Sequence, residues 1–390
     1  MKAEEEQPTQ TQSAVTWEYD GGISGTHHDQ DREILIADTG LSALVTAGLL
    51  GRAGFDPVVA PSPGDRSPPR VTVMWEPGLR VLDQLGLRRS VERHGTPVTE
   101  LDRTGSEKSW GADASTEISL VAIERDQLRA LLTQAVYSRV RETDRVVTAL
   151  ESAASGVRAT FDHEGTEAFD VAVTADRSLG GDRTPEPDGR VHTWECHHFE
   201  TTSKATEAWG SSAAAFAIPN GDSTSLRLVT TAETPARAAV SADDITDRFS
   251  HLSPPTTALG RALRDSGFEY RRARLAAPTS VSTGRVGLVG PAARTALPGT
   301  HLGPSTDIQT AWALATAIAD ASTTITGALS SYEQRRRSLS VRFWTQLDDV
   351  HAHDLSLSPG LRLLFCARRH AFDHMTSSAR SFKYSLAADR

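Results

Sequence analysis

Glu33 to Ala37 is a run of β-branched and apolar residues without polar alternation, the pattern of a short strand buried on both faces in a parallel sheet. From Leu41 the apolar positions Leu41, Leu44, Val45 and Leu49 recur at helical spacing, and Gly54 stands where a helix end favours positive φ. Pro57 to Ala60 reads as a second strand, so Glu33 to Pro61 predicts a βαβ unit around which the chain is organised. Val71 to Met74 predicts a strand, and Gly78 to Leu87 an amphipathic helix with Leu79, Leu82 and Leu85 on one side. From Pro97 to Thr116 the pattern loosens. Glu124 to Tyr137 predicts a helix with a buried stripe of Leu128, Leu131, Leu132 and Ala135, and Phe169 to Ala175 a buried strand that ends in Asp176, Arg177 and Ser178.

Gly, Pro and Asp crowd Gly180 to Gly189 and mark the best candidate for a crossing between domains. Three alternating segments follow at hairpin spacing, His192 to Glu200, Ala213 to Pro219 and Thr224 to Thr231, and predict an antiparallel sheet. Ser241 to Asp265 reads as short helices, and Arg271 to Pro278 leads back toward the first domain. Gly284 to Gly290 predicts a buried strand, Ser305 to Ser322 a helix capped by Ser305 or Thr306, and Leu329 to Phe382 a mostly helical end. The chain has 390 residues, enough for two interlocked domains with a large core.

Asp and Glu number 50 against 41 Lys and Arg, a net charge of −9 that argues against a nucleic-acid-binding surface. Only Lys2, Lys108, Lys204 and Lys383 of the basic residues are lysine. Low lysine with an acidic excess reads as a salt-adapted surface, although a GC-rich genome also favours arginine. The two cysteines, Cys196 and Cys366, form neither a CxxC pair nor a disulfide framework, so a reducing cytoplasm is the expected compartment. No run reaches the length of a membrane span. Met1 to Gln30 has no apolar signal-peptide core and reads as a disordered tail.

A dinucleotide-binding turn carries GxGxxG between strand and helix, so that the backbone approaches a pyrophosphate seated on the helix N-terminus. The corresponding residues here are Asp38, Gly40 and Ala43. Gly40 survives and Ala is an accepted third residue, but Asp38 adds bulk and negative charge at the tight turn. At the end of the second strand, where an acidic residue would hold the ribose hydroxyls, stand Pro61 and Ser62.

Taken in order, several stretches resemble the FAD-dependent monooxygenases of the aromatic-hydroxylase type, the family of p-hydroxybenzoate hydroxylase, from about Glu33 to Trp344. WEPGLRVLDQLGL is similar to the family's helix after the second strand, and AIERDQLRALL to its IxRxxLxxxL segment, which implies that Arg125 reaches the flavin nucleotide. VAVTADRSLG stands in the place of GADGxxS, with Asp176 and Ser178 matched and Arg177 replacing the glycine. EAWGSSAAAFAIPNGDS resembles a substrate-domain stretch, and SYEQRRRSL the YExxRR helix. GRVGLVGPAARTALPGTHLGPSTDIQTAWALA stands where the family has GRVxLLGDAAHxxxPxxGQGxNxAxEDAxxLA.

The resemblance implies an α/β fold: a Rossmann-like FAD-binding domain of the glutathione-reductase-like type from residues 31–179 and 276–328, an inserted antiparallel substrate domain over 180–275, a helical region over 329–390, and the tail 1–30. It implies FAD, held by Gly40, Ala43, Arg125, Asp176, Gly290, Gly303 and Ser305, with NAD(P)H as electron donor and a small aromatic substrate. The departures fall on the cofactor motifs. Pro291 follows Gly290 where an Asp would accept from the ribityl chain, and proline has neither carboxylate nor N–H. His301 replaces the first glycine of GxG, Ser305 the usual Asn, and Gln309 and Thr310 the acidic pair.

Bland readings stand beside these. Arg125 also suits an ion pair at a helix start with Glu124 or Asp126, and Asp176 a turn after a strand. His192, Cys196 and His198 share a strand face by period two, which is usually just a strand rather than a metal site, and His351, His353 and Asp354 read as solvated. Flavin hydroxylation asks little of side chains beyond orientation and a dry pocket, so no catalytic residue is named. The function expected is an FAD-dependent monooxygenase, and the alternative is a pseudoenzyme of the same fold that has lost FAD and binds or regulates.

Overall fold

A computed structural model describes residues 32–63, 70–105, 114–162, 165–180, 190–199, 203–210, 213–230, 241–250, 252, 263–265, 267–274, 280–293, 301, 303–320 and 324–335. The βαβ unit forms as the pattern predicts. Strand β1 (Ile34–Ala37) leads into helix α1 (Leu41–Arg52), and β2 (Val58–Ala60) returns parallel to β1, with Ile36 opposite Val59. Gly54 takes φ 94°, a left-handed value that only glycine adopts without strain. Next come β3 (Val71–Trp75), α2 (Glu76–Gln84), α3 (Arg88–His94), β4 (Thr96–Gly105), β5 (Ala114–Glu124) and α4 (Arg125–Val136). Strand β6 (Arg141–Glu142) precedes a meander of β7 (Val147–Ser152), β8 (Val157–Phe161) and β9 (Gly165–Phe169), and then β10 (Val171–Thr174).

The first sheet also takes β16 (Ser282–Thr283) and β17 (Val286–Leu288), in the order β16-β17-β10-β1-β2-β6. All its pairs are parallel except β16 with β17. The strands expected over Glu33 to Ala37 and Gly284 to Gly290 therefore lie in one sheet, separated by β10. Ile34 and Ile36 face a helical layer with α1, α4 and α6 (Gly303–Ala319), whereas Leu35 and Ala37 face the β7–β9 meander. A sheet covered on both faces needs apolar residues at every position, which is why these strands read as unbroken runs.

The second sheet has the order β15-β11-β14-β13-β12-β4-β5-β3, with β11 (Arg190–Phe199), β12 (Ala205–Trp209), β13 (Ala213–Asn220), β14 (Ser223–Thr230) and β15 (Glu269–Arg274). It is antiparallel except where β12 runs parallel to β4. Helix α5 (Ala242–Phe249), closed by a Ser241–Asp244 capping box, packs Ile245 and Phe249 against Trp194 and Leu228 on one face of this sheet. Strands β3, β4 and β5 precede Leu179 in the chain yet belong to this sheet, so its layer is not built from 180–275 alone.

Three expectations are corrected. Pro97 to Thr116 is not loose but supplies β4 and the start of β5; the bulge between Val98 and Glu100 and the charged Glu100, Asp102 and Arg103 break the alternation that would have revealed it. The helix expected over Gly78 to Leu87 begins at Glu76, with Pro77 in its first turn, and ends before Gly86 at φ 76°. The helix expected from Ser305 begins at Gly303, so neither Ser305 nor Thr306 is its cap. Residues 325–335 are helical, while the rest of the expected C-terminal helical region and the tail lie outside the described residues, as do His351, His353 and Asp354. Among the described residues no helix is long and apolar enough to cross a membrane.

Tyr332, fully buried, donates its hydroxyl to the Leu288 carbonyl at 2.7 Å and so ties helix 325–335 to β17. Tyr332→Phe is expected to lower stability by about 1–3 kcal/mol, because a buried acceptor loses its donor. Chemical denaturation with an unchanged slope and a lower midpoint is the expected result.

Candidate functional site

In an open parallel sheet, ligands sit beyond the carboxyl ends of the strands where neighbouring connections diverge. Here that point is the end of β1, between β10 and β2, and Asp38 occupies it. Asp38 is fully buried, and its Oδ1 accepts the Gly40 N–H at 2.5 Å. Gly40 is the extended residue before α1, at φ −77° and ψ 173°, and its carbonyl accepts the Leu44 amide to start the helix. Ala43, 0 % exposed, sits in the first turn, where a small residue lets the helix approach the sheet.

Gly290 follows β17 and adopts φ 57°. A Cβ built there would lie 2.0 Å from Ser42 Oγ, so this turn is pressed against the first turn of α1. The Gly290 N–H donates to Thr310 Oγ1 at 2.9 Å, which ties the turn to α6. Gly303 is the first residue of α6, and Ser305 is buried beneath α2: its Oγ accepts the Trp75 amide at 3.4 Å and would lie 2.2 Å from a Cβ on Gly78. Asp176, after β10, accepts from both the amide and the hydroxyl of Ser178 at 2.9 and 2.7 Å, the local turn of the bland reading. The structure thus gathers Gly40, Ala43, Gly290, Gly303 and Ser305 around the heads of α1 and α6, with Asp176 closing the neighbouring strand. Arg125 opens α4, and its amide donates to the Arg70 carbonyl at 2.7 Å while Arg70 pairs with Glu124.

Two residues that stand in place of motif glycines, Arg177 and His301, and a row of side chains that the sequence did not single out complete the picture. Arg177, in the place of a glycine, reaches the Ala292 carbonyl at 3.1 Å and so bridges the loops after β10 and β17. His301, 4 % exposed, meets Phe216 edge to face at 6.4 Å, and Phe216 meets Trp209 at 5.3 Å. Phe216 pairs with Arg227 on one side and Glu207 on the other, and Arg227 pairs in turn with Glu195, so one row of side chains crosses β11, β14, β13 and β12 on the face toward His301. Glu195, fully buried, accepts from Arg227 at 3.2 Å and from Arg271 and Ser225. Burial opposes its charge, but Arg227 and Arg271, then His197, outweigh burial and hold its carboxyl below the usual range. His197 lies 3.8 Å from Glu195, and burial pushes its imidazole down against the partial support of that carboxylate. The signal for this row was a single charged residue within each of two otherwise uncharged strands, Glu207 in β12 and Arg227 in β14.

Of the three residues expected to share a face of β11, His192 bonds Tyr270 Oη at 2.7 Å and Cys196 is packed with Trp194 in the cluster beneath α5, while the His198 side chain lies outside the described residues. Among the described residues no group of three His, Cys, Asp or Glu is placed to hold a metal.

No protein-family model matches the chain, and no curated protein matches it. Solved structures do. PqsL, a probable FAD-dependent monooxygenase from Pseudomonas aeruginosa, is similar at TM-score 0.67 and 18% identity over 86% of this chain and 99% of that one. HpxO from Klebsiella pneumoniae, solved with FAD and uric acid, is similar at TM-score 0.63 and 18% identity over 80% and 85%. A 2-methyl-3-hydroxypyridine-5-carboxylic acid oxygenase is similar at 0.64 and 18% over 82% and 91%. The chain has the mixed α/β fold of the FAD-dependent monooxygenases.

The fold implies FAD, and the residues present do not fit it in the family's pose. The amide that would meet the diphosphate is bonded to the buried carboxylate of Asp38. A carboxyl group at that place takes the donor and the room that a diphosphate would use. Pro291 offers no donor and no carboxylate to the ribityl chain, and β2 ends in Ala60 and Pro61 with no acid for the ribose.

Two expectations follow. Gly290→Ala meets both a left-handed backbone and Ser42, and should destabilise by about 2–4 kcal/mol; adding Ser42→Gly should recover the steric part alone in a double-mutant cycle. Acidification should also destabilise the protein. Both His197 and Glu195 bind protons more weakly when folded, so the unfolded chain takes them up first and stability falls as pH drops. The His197 contribution is complete above about pH 6.5 and is lost below it, and that of Glu195 is lost below about pH 4.5. Thermal midpoints measured against pH should lose the upper step in His197→Gln and keep the lower one.

Proposed function

We propose that this chain is a non-catalytic, small-molecule-binding relative of the FAD-dependent monooxygenases, one that keeps their two-sheet scaffold and does not hold FAD. The observation that carries this reading is the Asp38 carboxylate, sealed from solvent on the Gly40 amide at the head of α1. A helix N-terminus that already has an anion on its amide has little left to offer a diphosphate. The first sheet, between its helices and the meander, is read as the former dinucleotide layer of glutathione-reductase-like type. The second sheet, with Glu207, Trp209, Phe216 and Arg227 on the face toward His301, is read as the ligand-facing layer of a binding or regulatory protein.

A second reading is favoured by the retained backbone: Gly40 before α1, Gly290 at positive φ and Gly303 opening α6. On that reading the chain is an FAD-dependent monooxygenase that takes electrons from NAD(P)H and oxygenates a small aromatic substrate. HpxO was solved with FAD and uric acid, and PqsL with 2-aminobenzoylacetate, which supports small organic ligands under either reading.

Purification at high salt followed by titration with FAD separates the two. The expected result is a colourless protein whose absorbance and thermal midpoint do not respond to excess FAD. Flavin absorbance on isolation, or saturable quenching of flavin fluorescence by the wild type, would sink the flavin-free reading.

A further inference from the structure

The face of the second sheet that looks toward His301 changes character along its width. Glu195, Arg227 and Arg271 answer one another's charges toward one edge, and Trp209 and Phe216 meet edge to face in the middle. Toward the other edge Val73, Val98, Leu120 and Ile218 belong to an apolar cluster. Ile218 lies two residues from Phe216 on β13, which puts the cluster and the aromatic pair on one face. Trp75 joins this cluster from the end of β3. It is 2 % exposed, and its amide donates to Ser305 Oγ of α6 at 3.4 Å, which fixes it between the head of that helix and the sheet. Its indole Nε1 is buried as well and meets no acceptor among the described residues. An indole N–H can only donate, and a buried donor left unmatched is costly. A trapped water answers it poorly, because a buried water needs several polar partners and the cluster is built of aliphatic side chains. A single acceptor carried on an apolar body answers it well.

We propose that the Trp75 indole N–H is the donor that orients the ligand of this layer, and that the ligand is an uncharged, flat, mostly apolar molecule presenting a carbonyl oxygen. This rests on the small-molecule-binding reading and deepens it by naming the ligand's chemistry. The carbonyl follows from a donor with nothing to donate to. The flat apolar body follows from the aliphatic cluster and the Trp209 and Phe216 rings beside it, which favour a further ring at their edges and faces. The lack of charge follows from the ionic row: Glu195 is already matched by Arg227 and Arg271, and a charged ligand would have to break that match.

The test uses three probes: acetophenone, which has the carbonyl; ethylbenzene, nearly the same shape without it; and benzoate, which adds a charge. With the indole nitrogens isotopically labelled, the Trp75 signal in a proton–nitrogen spectrum is the one missing from Trp75→Phe, a variant that keeps a ring in the cluster and removes the donor. Acetophenone should move that signal in a saturable way toward the position of a hydrogen-bonded indole, and ethylbenzene should not. The wild type should bind acetophenone about 3–10-fold more tightly than ethylbenzene, the worth of one neutral hydrogen bond, and benzoate more weakly than acetophenone. Trp75→Phe should bind acetophenone and ethylbenzene alike. A Trp75 signal that acetophenone leaves in place, or a Trp75→Phe variant that keeps the wild-type preference, would overturn the proposal. Should that variant fail to fold, the wild type still decides: ethylbenzene bound as tightly as acetophenone, or benzoate bound more tightly, would overturn it. Saturable binding of FAD by the wild type would instead end the flavin-free reading, and that failure is seen in the flavin titration without any of the three probes.

Discussion

Every residue from Ile34 to Ala37 is sealed from solvent, alternate side chains meeting the helices on one face and the meander on the other, and this double burial sets the terms for the rest of the molecule. A strand with no wet face must satisfy its amides and carbonyls through neighbours, here β10 and β2, both parallel. Parallel neighbours require crossovers, and α1 is the shortest of them. The helix is therefore committed to start within a few residues of Ala37, and the turn between them has to be tight. The exposed amides of that turn are a direct result of the topology.

Backbone requirements and ligand requirements fall on different residues at this turn. Close packing of α1 on the sheet suits the small, buried Ala43 in its first turn, and close approach of the β17 loop needs Gly290 at φ 57° beside Ser42. Those residues are kept. Binding a dinucleotide needs, in addition, room and a donor where Asp38 stands, an acceptor where Pro291 stands, and an acid after β2. Those are replaced. The core of this layer is built around Ile34, Leu44, Leu49 and Leu314, whose side chains have no polar atom for a nucleotide to use.

The same physics decides what was legible in the sequence. β1, α1, β2, α4, β10 and β17 are buried on one stripe or on both faces, and their apolar spacing carried their identity. β4 and β5 escaped because a bulge and charged residues interrupt their period of two, and pairing partners far along the chain, not local preference, make them strands. Asp38 was recognised as hostile to a diphosphate, but the hydrogen bond that makes it useful to the helix was not, although Asp-x-Gly is a recurrent side-chain turn. Ser305 was misjudged as a cap because Gly303 and Pro304 already allow the helix to start, and the buried hydroxyl belongs to a contact with Trp75 more than two hundred positions away. The roles of Glu195, Arg227 and Arg271 depend on three strands meeting in register, which spacing within any one strand does not encode.

That ionic row bears on what the second sheet is for. Replacing a buried ion pair by well-packed apolar residues is often neutral or stabilising, so stability alone does not account for Glu195 and Arg227 among the most buried side chains of the chain. Their placement is selective. On the opposite face of the same strands Trp194, Cys196, Leu226 and Leu228 form an apolar bed for α5, as an ordinary sheet–helix contact requires. The charged and aromatic groups are kept to the face that looks toward His301 and the head of α6. A polar, hydrogen-bonded face enclosed between two layers gives orientation and selectivity to whatever it contacts, because each unmatched group there is penalised by desolvation. The loss of nucleotide-binding groups at one layer together with a specific polar row at the other is what a scaffold would show if recognition outlived the redox chemistry.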